Sequence, residues 1–191
     1  MIYFFIGKSN TGKSLKAEEL AMTFDLPNKL YVATMKVMDE DGEARVQKHR
    51  KQREGKGFET IERLYDIPKV ISEIKNPKAT TVLLECVANL VGNEIYENPG
   101  RTGKTLLLGE SAFNEVKCTE DLEKYADEIS FDIRKLSESV HNIVIVTNEY
   151  ERDVDGYDDA TRTYVMLLHM VNERISTFAE QIYDLRVRSN N

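Results

Sequence analysis

Residues 7–14 read Gly-Lys-Ser-Asn-Thr-Gly-Lys-Ser, directly after a short apolar run, Ile2–Ile6, that stops at the first glycine. An uninterrupted apolar run of this length, bounded by a turn residue, predicts a strand buried on both faces. Leu15, Leu20 and Phe24, with Ala17 and Ala21 between them, then predict a helix over Leu15–Phe24. A strand, a loop of pattern G-x-x-x-x-G-K-[ST] and a helix together narrow the fold more than any other feature of the chain. The glycines let the backbone wrap an anion with successive N–H groups turned inward, and the helix offers the positive end of its dipole to the same anion. Gly7, Lys8, Ser9, Asn10, Thr11, Gly12, Lys13 and Ser14 are therefore expected to cradle the phosphates of a nucleoside triphosphate, ATP or GTP. Lys13 is expected to reach the β- and γ-phosphates, and the Ser14 hydroxyl to ligate Mg²⁺.

The rest of the chain fits that start. Leu30–Thr34, Thr80–Leu84 and Ile143–Val146 are further apolar runs, and Gln181–Val187 reads as a last strand. Asp39–Arg53 is charged and reads as a surface helix or a helix plus loop, broken by Gly55 and Gly57. Asp66–Lys75 reads as a helix with Asp66 as N-cap and Pro68 in its first turn. Asn89–Glu97 is a short helix, Leu122 to Val140 carry a five-turn apolar stripe, and Asp158–Ala179 is a long helix. Apolar strands without alternation, separated by helices, predict a mainly parallel sheet with helices on both faces. The expected class is α/β, a P-loop NTPase fold (RecA-like), in one domain spanning residues 1–191. Gly100-Arg101-Thr102-Gly103-Lys104-Thr105 looks like a second phosphate loop, but two residues rather than four separate its glycines and no strand precedes it. It reads as a surface loop.

A formal net charge of −7 argues against a protein-wide nucleic-acid surface. Cys86 and Cys118 are too few and too far apart for a disulfide framework or a zinc site, which favours a reducing, cytoplasmic setting. The five apolar residues before Gly7 are too short for a signal segment, and no stretch approaches a membrane span.

A phosphate loop needs an acid at the end of a neighbouring strand to hold or orient the metal. Glu85 closes Thr80–Leu84 and is the first candidate; Glu149 follows Ile143–Val146 and is the second. Residues 45–56 hold six Lys or Arg and one acid, a concentrated positive segment in an acidic chain. On a helix Arg45, His49 and Arg53 fall at i, i+4 and i+8. The segment reads either as a phosphate-binding patch or as a solvated basic face. Neighbouring cations favour a neutral His49 imidazole, a candidate nucleophile on phosphorus. His141 and His169 read as structural.

Taken in order, Gly7–Ser14, Tyr31–Thr34, Arg45/His49/Arg50/Arg53, Thr60/Glu62, Leu83–Cys86 and Thr147–Glu149 resemble the bifunctional adenosylcobinamide kinase / adenosylcobinamide-phosphate guanylyltransferase family of cobalamin biosynthesis. Arg162, Tyr164 and Asn172 continue the resemblance, which covers nearly the whole chain. It implies two reactions: transfer of a γ-phosphate to the aminopropanol hydroxyl of adenosylcobinamide, and transfer of GMP from GTP, through a histidine, to the resulting phosphate. It implies His49 as the guanylylated nucleophile; Lys13 at the phosphates and Glu85 at the metal, read from the motif and the strand end, are the other expected catalytic residues. Arg45, Arg50 and Arg53 would hold the triphosphate or the corrinoid phosphate, Thr34 and Glu62 would join the nucleotide site, and the family assembles as a trimer. A kinase without guanylyl transfer and a non-catalytic nucleotide-binding module are the alternatives. His49 and its arginines separate the first from the bifunctional reading, and Glu85 with Lys13-Ser14 argues against the second.

Overall fold

The computed structural model describes residues 1–36, 40–98, 119–151 and 156–186, with the side chains at 40, 41, 45, 48, 49, 52, 119 and 120 outside that description. Strand β1, Ile2–Gly7, is buried along its whole length. It pairs in parallel with β5 (Asn142–Asn148) on one side and β6 (Gln181–Leu185) on the other. Strands β2 (Asn28–Ala33), β3 (Phe58–Glu62) and β4 (Thr80–Glu85) complete a six-stranded sheet in the order β3-β2-β4-β5-β1-β6, parallel at every pairing.

Helices α1 (Lys13–Thr23), α2 (Glu40–Arg53), α3 (Lys69–Glu73), α4 (Val87–Tyr96), α5 (Thr119–Ser139) and α6 (Asp159–Phe178) form the crossovers. Successive side chains of a strand face opposite ways, and the core divides accordingly. Ile2, Phe4, Ile6, Ile143 and Ile145 pack with α3, α4, α5 and α6, whereas Tyr3, Phe5, Val144 and Val146 pack against Ala17 and Ala21 of α1. The expected α/β architecture, helices on both faces of a parallel sheet, is what the chain adopts. Among the described residues no helix is long and apolar enough to cross a membrane.

Strand β3 was not among the expected strands. Phe-Glu-Thr-Ile-Glu carries no apolar run because it lies at the sheet edge with three of its five residues exposed. The Asp66 N-cap is corrected as well. Asp66 has φ 56 and occupies a left-handed turn, the helix begins only at Lys69 behind Pro68, and it spans five residues. The Asp66 carboxylate oxygens accept instead from Asn98 Nδ2 at 3.1 Å and Lys69 Nζ at 2.6 Å, and its backbone N–H donates to Glu94 Oε1 at 2.9 Å. The Gly100–Thr105 loop and Cys118 lie outside the described residues.

Because every pairing is parallel, Gly7, Ala33, Glu85 and Asn148 end their strands at one edge of the sheet. The carboxyl edge of an open α/β sheet is where ligands bind.

Candidate nucleotide site

The phosphate loop leaves β1 at Gly7 and enters α1 at Lys13. Gly7 is required by proximity: a Cβ there would lie 2.7 Å from the Leu185 carbonyl oxygen. Gly12 is required by conformation, with φ 80 in the left-handed region at the helix N-cap. Its carbonyl accepts the first helical hydrogen bond, from Lys16 N at 3.1 Å. The loop is pinned from within, where the Thr11 hydroxyl donates to the Lys8 carbonyl at 2.9 Å.

Lys13 is 5% exposed, and its ammonium donates to the same Lys8 carbonyl at 2.6 Å. Burial lowers its pKa, and the nearby Cys86 and Glu85 side chains push it back up. A desolvated cation beside a ring of loop N–H groups is a strong anion trap, because little water competes for it. The Ser14 hydroxyl makes no hydrogen bond among the described residues and remains available as a hard oxygen donor.

Glu85 ends β4 next to this loop. Its Oε2 accepts from the Tyr31 hydroxyl at 3.2 Å. Tyr31 is buried, and burial followed by the adjacent Glu85 carboxylate holds its pKa well above the ordinary value. A face of the Tyr31 ring carries Arg53, whose guanidinium carbon sits 3.4 Å from the ring centroid. Arg53 is 7% exposed, and its Nη1 has no hydrogen-bond partner among the described residues. Arg53, Tyr31, Glu85 and Lys13 thus form a continuous line from the basic helix α2 to the phosphate loop. Tyr31 was missed as a site residue: its sequence context is that of a strand, and only the pairing of β2 with β4 brings its hydroxyl to Glu85.

A cavity of about 470 Å³ opens beside this line, with Arg50, Arg53, Tyr31, Thr60 and Glu62 in its walls. Arg50 and Glu62 form an exposed ion pair across it at 2.5 Å. Thr34 is placed differently. It is fully buried, and its hydroxyl both donates to the Cys86 carbonyl and accepts from the Cys86 N–H, each at 2.8 Å. Its hydroxyl ties β2 to β4 beneath the site. Positions 45, 49 and 53 lie within the single helix α2, while the Arg45 and His49 side chains are outside the described residues.

The second acid is already engaged. Glu149 Oε1 lies 3.0 Å from His169 Nδ1, and Oε2 accepts from Asn172 Nδ2 at 3.0 Å. Asn172 also receives the Thr147 hydroxyl at 2.9 Å. Glu85, with one hydrogen bond from Tyr31 and proximity to Lys13, is the freer of the two carboxylates. Hard oxygen donors from Ser14 and Glu85 fit Mg²⁺, which takes few protein ligands and completes its shell with water and phosphate. Among the described residues no three His, Cys, Asp or Glu side chains cluster as a metal site of their own.

Comparison with known proteins places the chain in a family. The profile of the family described as cobinamide kinase / cobinamide phosphate guanyltransferase matches residues 3–186. The bifunctional adenosylcobalamin biosynthesis protein CobU of Escherichia coli K12 is 25% identical over 187 residues, covering 96% of this chain and 94% of that protein. Its counterpart of the same name in Salmonella typhimurium LT2 is 26% identical over 183 residues, with the same coverage of 96% and 94%. The match runs from β1 to the end of the described chain, through the phosphate loop, the basic helix and both strand-end acids, and the protein belongs to the cobinamide kinase / cobinamide phosphate guanyltransferase family.

Proposed function

We propose that this chain catalyses both reactions named for its family: phosphorylation of the adenosylcobinamide hydroxyl, and transfer of GMP from GTP to the phosphate so formed. The observation that carries this reading is the line Lys13–Glu85–Tyr31–Arg53, which couples a phosphate loop to a basic helix bearing His49. A kinase alone needs the loop and one acid. It has no use for a buried arginine on a second element, stacked on Tyr31 and with Nη1 lacking a hydrogen-bond partner among the described residues.

In the phosphoryl step the loop amides and Lys13 hold the β- and γ-phosphates, and charge neutralisation with positioning does most of the work. Mg²⁺, held by Ser14 and Glu85, would neutralise charge on the nucleotide oxygens. The acceptor hydroxyl gives its proton to water as its oxygen bonds to the γ-phosphorus and the bond to the β–γ bridging oxygen breaks, and the nucleoside diphosphate leaves. In the nucleotidyl step a His49 nitrogen bonds to the α-phosphorus of GTP and pyrophosphate leaves. An oxygen of the cobinamide phosphate then displaces the histidine. Splitting the transfer through a covalent intermediate lowers each barrier, and the cations of α2 favour both the neutral imidazole and the anionic leaving group. The corrinoid acceptor and GTP as guanylyl donor rest on the family, the loop assignment on the residues.

The test is covalent labelling. Wild type incubated with Mg²⁺ and GTP labelled at the α-phosphate should carry an acid-labile label through a denaturing gel, and His49→Ala should carry none while still phosphorylating cobinamide. Absence of label on a wild type that binds GTP would refute the histidine route. Loss of both activities in His49→Ala would make that residue structural.

A further inference from the structure

A second cavity, of about 450 Å³, borders the phosphate loop. Its walls include Lys8 and Ser9 at the start of the loop, Glu149 and Tyr150 after β5, and Thr161 and Tyr164 on α6. We infer that this cavity seats the phosphoryl acceptor, a neutral alcohol on the arm of a large flat ring system. The inference rests on the kinase half of the reading above.

Three features point to the acceptor rather than the nucleotide. The first is position. Lysine in this motif reaches the β- and γ-phosphates, and the Lys13 ammonium is held at the Lys8 carbonyl, 2.6 Å away. The cavity therefore abuts the end of the loop where the terminal phosphate lies, not the end from which ribose and base depart. The second is charge. Glu149 lines the cavity 15% exposed, and the Lys8 ammonium at its mouth is already paired with Glu151 at 2.6 Å. The Arg186 guanidinium, 3.8 Å from Glu149 Oε1, is itself bound to Asp184, so among the described residues no free cation stands beside this carboxylate, which accepts a hydrogen bond from a hydroxyl. Glu149 is fixed for that purpose by His169 and Asn172.

The third is the rim. Tyr150 is 40% and Tyr157 54% exposed, and both border the cavity, with the Tyr150 ring 6.1 Å from that of Tyr164. Exposed aromatic rings beside a polar floor are a platform for a flat ligand. The cavity itself holds an arm and not a macrocycle, so the ring system rests on the tyrosines while the arm enters.

The experiment measures two affinities on the same proteins. Cobinamide binding is followed by equilibrium dialysis through its visible absorbance, and nucleotide binding through a fluorescent GTP analogue, in wild type, Tyr150→Ala, Thr161→Trp and the control Thr161→Ser. The expected result is a cobinamide dissociation constant at least ten-fold higher in Tyr150→Ala and Thr161→Trp, nucleotide affinity within two-fold of wild type in all, and wild-type behaviour of Thr161→Ser. Unchanged nucleotide affinity also shows that the variants are folded. Weakened nucleotide binding with cobinamide unaffected would assign the cavity to the base and overturn the inference, as would no change in either affinity. Phosphate transfer by the wild type is scored separately. A wild type that binds cobinamide through these residues without phosphorylating it refutes the kinase reading and leaves the seat assigned.

Discussion

Gly7→Ala isolates the junction of fold and site. Gly7 closes β1 between two neighbours, with Asn148 opposite on β5 and Leu185 opposite on β6. An added Cβ would meet the Leu185 carbonyl oxygen at 2.7 Å, its carbonyl carbon at 2.8 Å and its Cβ at 2.9 Å. Two of these three atoms are backbone, so no rotamer change relieves the contact and β6 must move. That strand is an edge of five residues, and Tyr183 within it stacks on Phe5 at 4.3 Å. Overpacking of this kind costs about 1–3 kcal/mol, and backbone partners place the cost toward the upper end. For a chain of this size the corresponding loss in melting temperature is about 5–10 °C. The Gly7 carbonyl also accepts the Glu149 N–H at 3.0 Å, so displacement of β1 reaches the β5 end and nucleotide affinity falls with stability. Gly12→Ala is the contrast. Its Cβ meets nothing within 4 Å, and the penalty is that of a left-handed backbone alone, about 1–2 kcal/mol. Thermal unfolding of both variants, with and without nucleotide, gives the ranking. A Gly7→Ala protein melting within 1 °C of wild type would show that β6 does not press on the loop and would refute the steric argument.

Lys13→Met should abolish nucleotide binding while raising the stability of the nucleotide-free protein by about 1 kcal/mol, because it removes a buried cation whose partner is a single carbonyl. The folded pKa of Lys13 is lowered, first by desolvation. The unfolded chain therefore binds more protons in the alkaline window below 10.5, wild-type stability gains with pH there, and the variant loses that gain; denaturant titrations at pH 8 and pH 10 measure it. Burial pushes the Cys86 thiol up to about 11. At pH 8 its alkylation in the folded protein should run about 100-fold slower than in urea, because so little thiolate is present; peptide mapping by mass spectrometry resolves this site, and equal rates would contradict the raised pKa of this half-buried thiol. Arg53→Ala should weaken GTP binding about ten-fold or more through loss of a desolvated cation, while Arg50→Ala, whose partner Glu62 is equally exposed, should change it less than three-fold. Isothermal titration separates the two.

The parts of the fold that could be read from the sequence share a physical cause. Strands β1, β4 and β5 are buried on both faces, so their burial is written as unbroken apolar runs. The helix stripes of α5 and α6 follow from one buried face each. Strand β3 escaped because an edge strand owes its existence to its neighbour rather than to its own hydrophobicity. Its register against β2, Lys29 with Phe58 through Ala33 with Glu62, is fixed by backbone pairing, which leaves no trace in side-chain composition. Asp66 differs for a related reason: a capping residue before Pro68 is a sound local signal, but its carboxylate is taken by the side chains of Lys69 and Asn98, the latter 32 residues away.

The site divides along the same line. The loop was legible because its pattern is contiguous, eight consecutive residues that match one phosphate-binding motif. The arrangement around it was not, because Tyr31 and Glu85 are 54 residues apart and meet only through strand order. That arrangement also bears on why α2 is placed where it is. A buried guanidinium nitrogen with no partner is costly, and stacking on Tyr31 offsets only part of that cost. The Arg53 Nη1 lacks a hydrogen-bond partner among the described residues, on the helix that carries position 49 and above the tyrosine that touches the strand-end acid. Nη1 itself is closed to solvent, so an anion arriving in that cavity would meet the rest of a guanidinium that folding has already stripped of water. The difference between Arg53 and Arg50 then follows from burial: the same guanidinium is worth little in water and much where water is excluded.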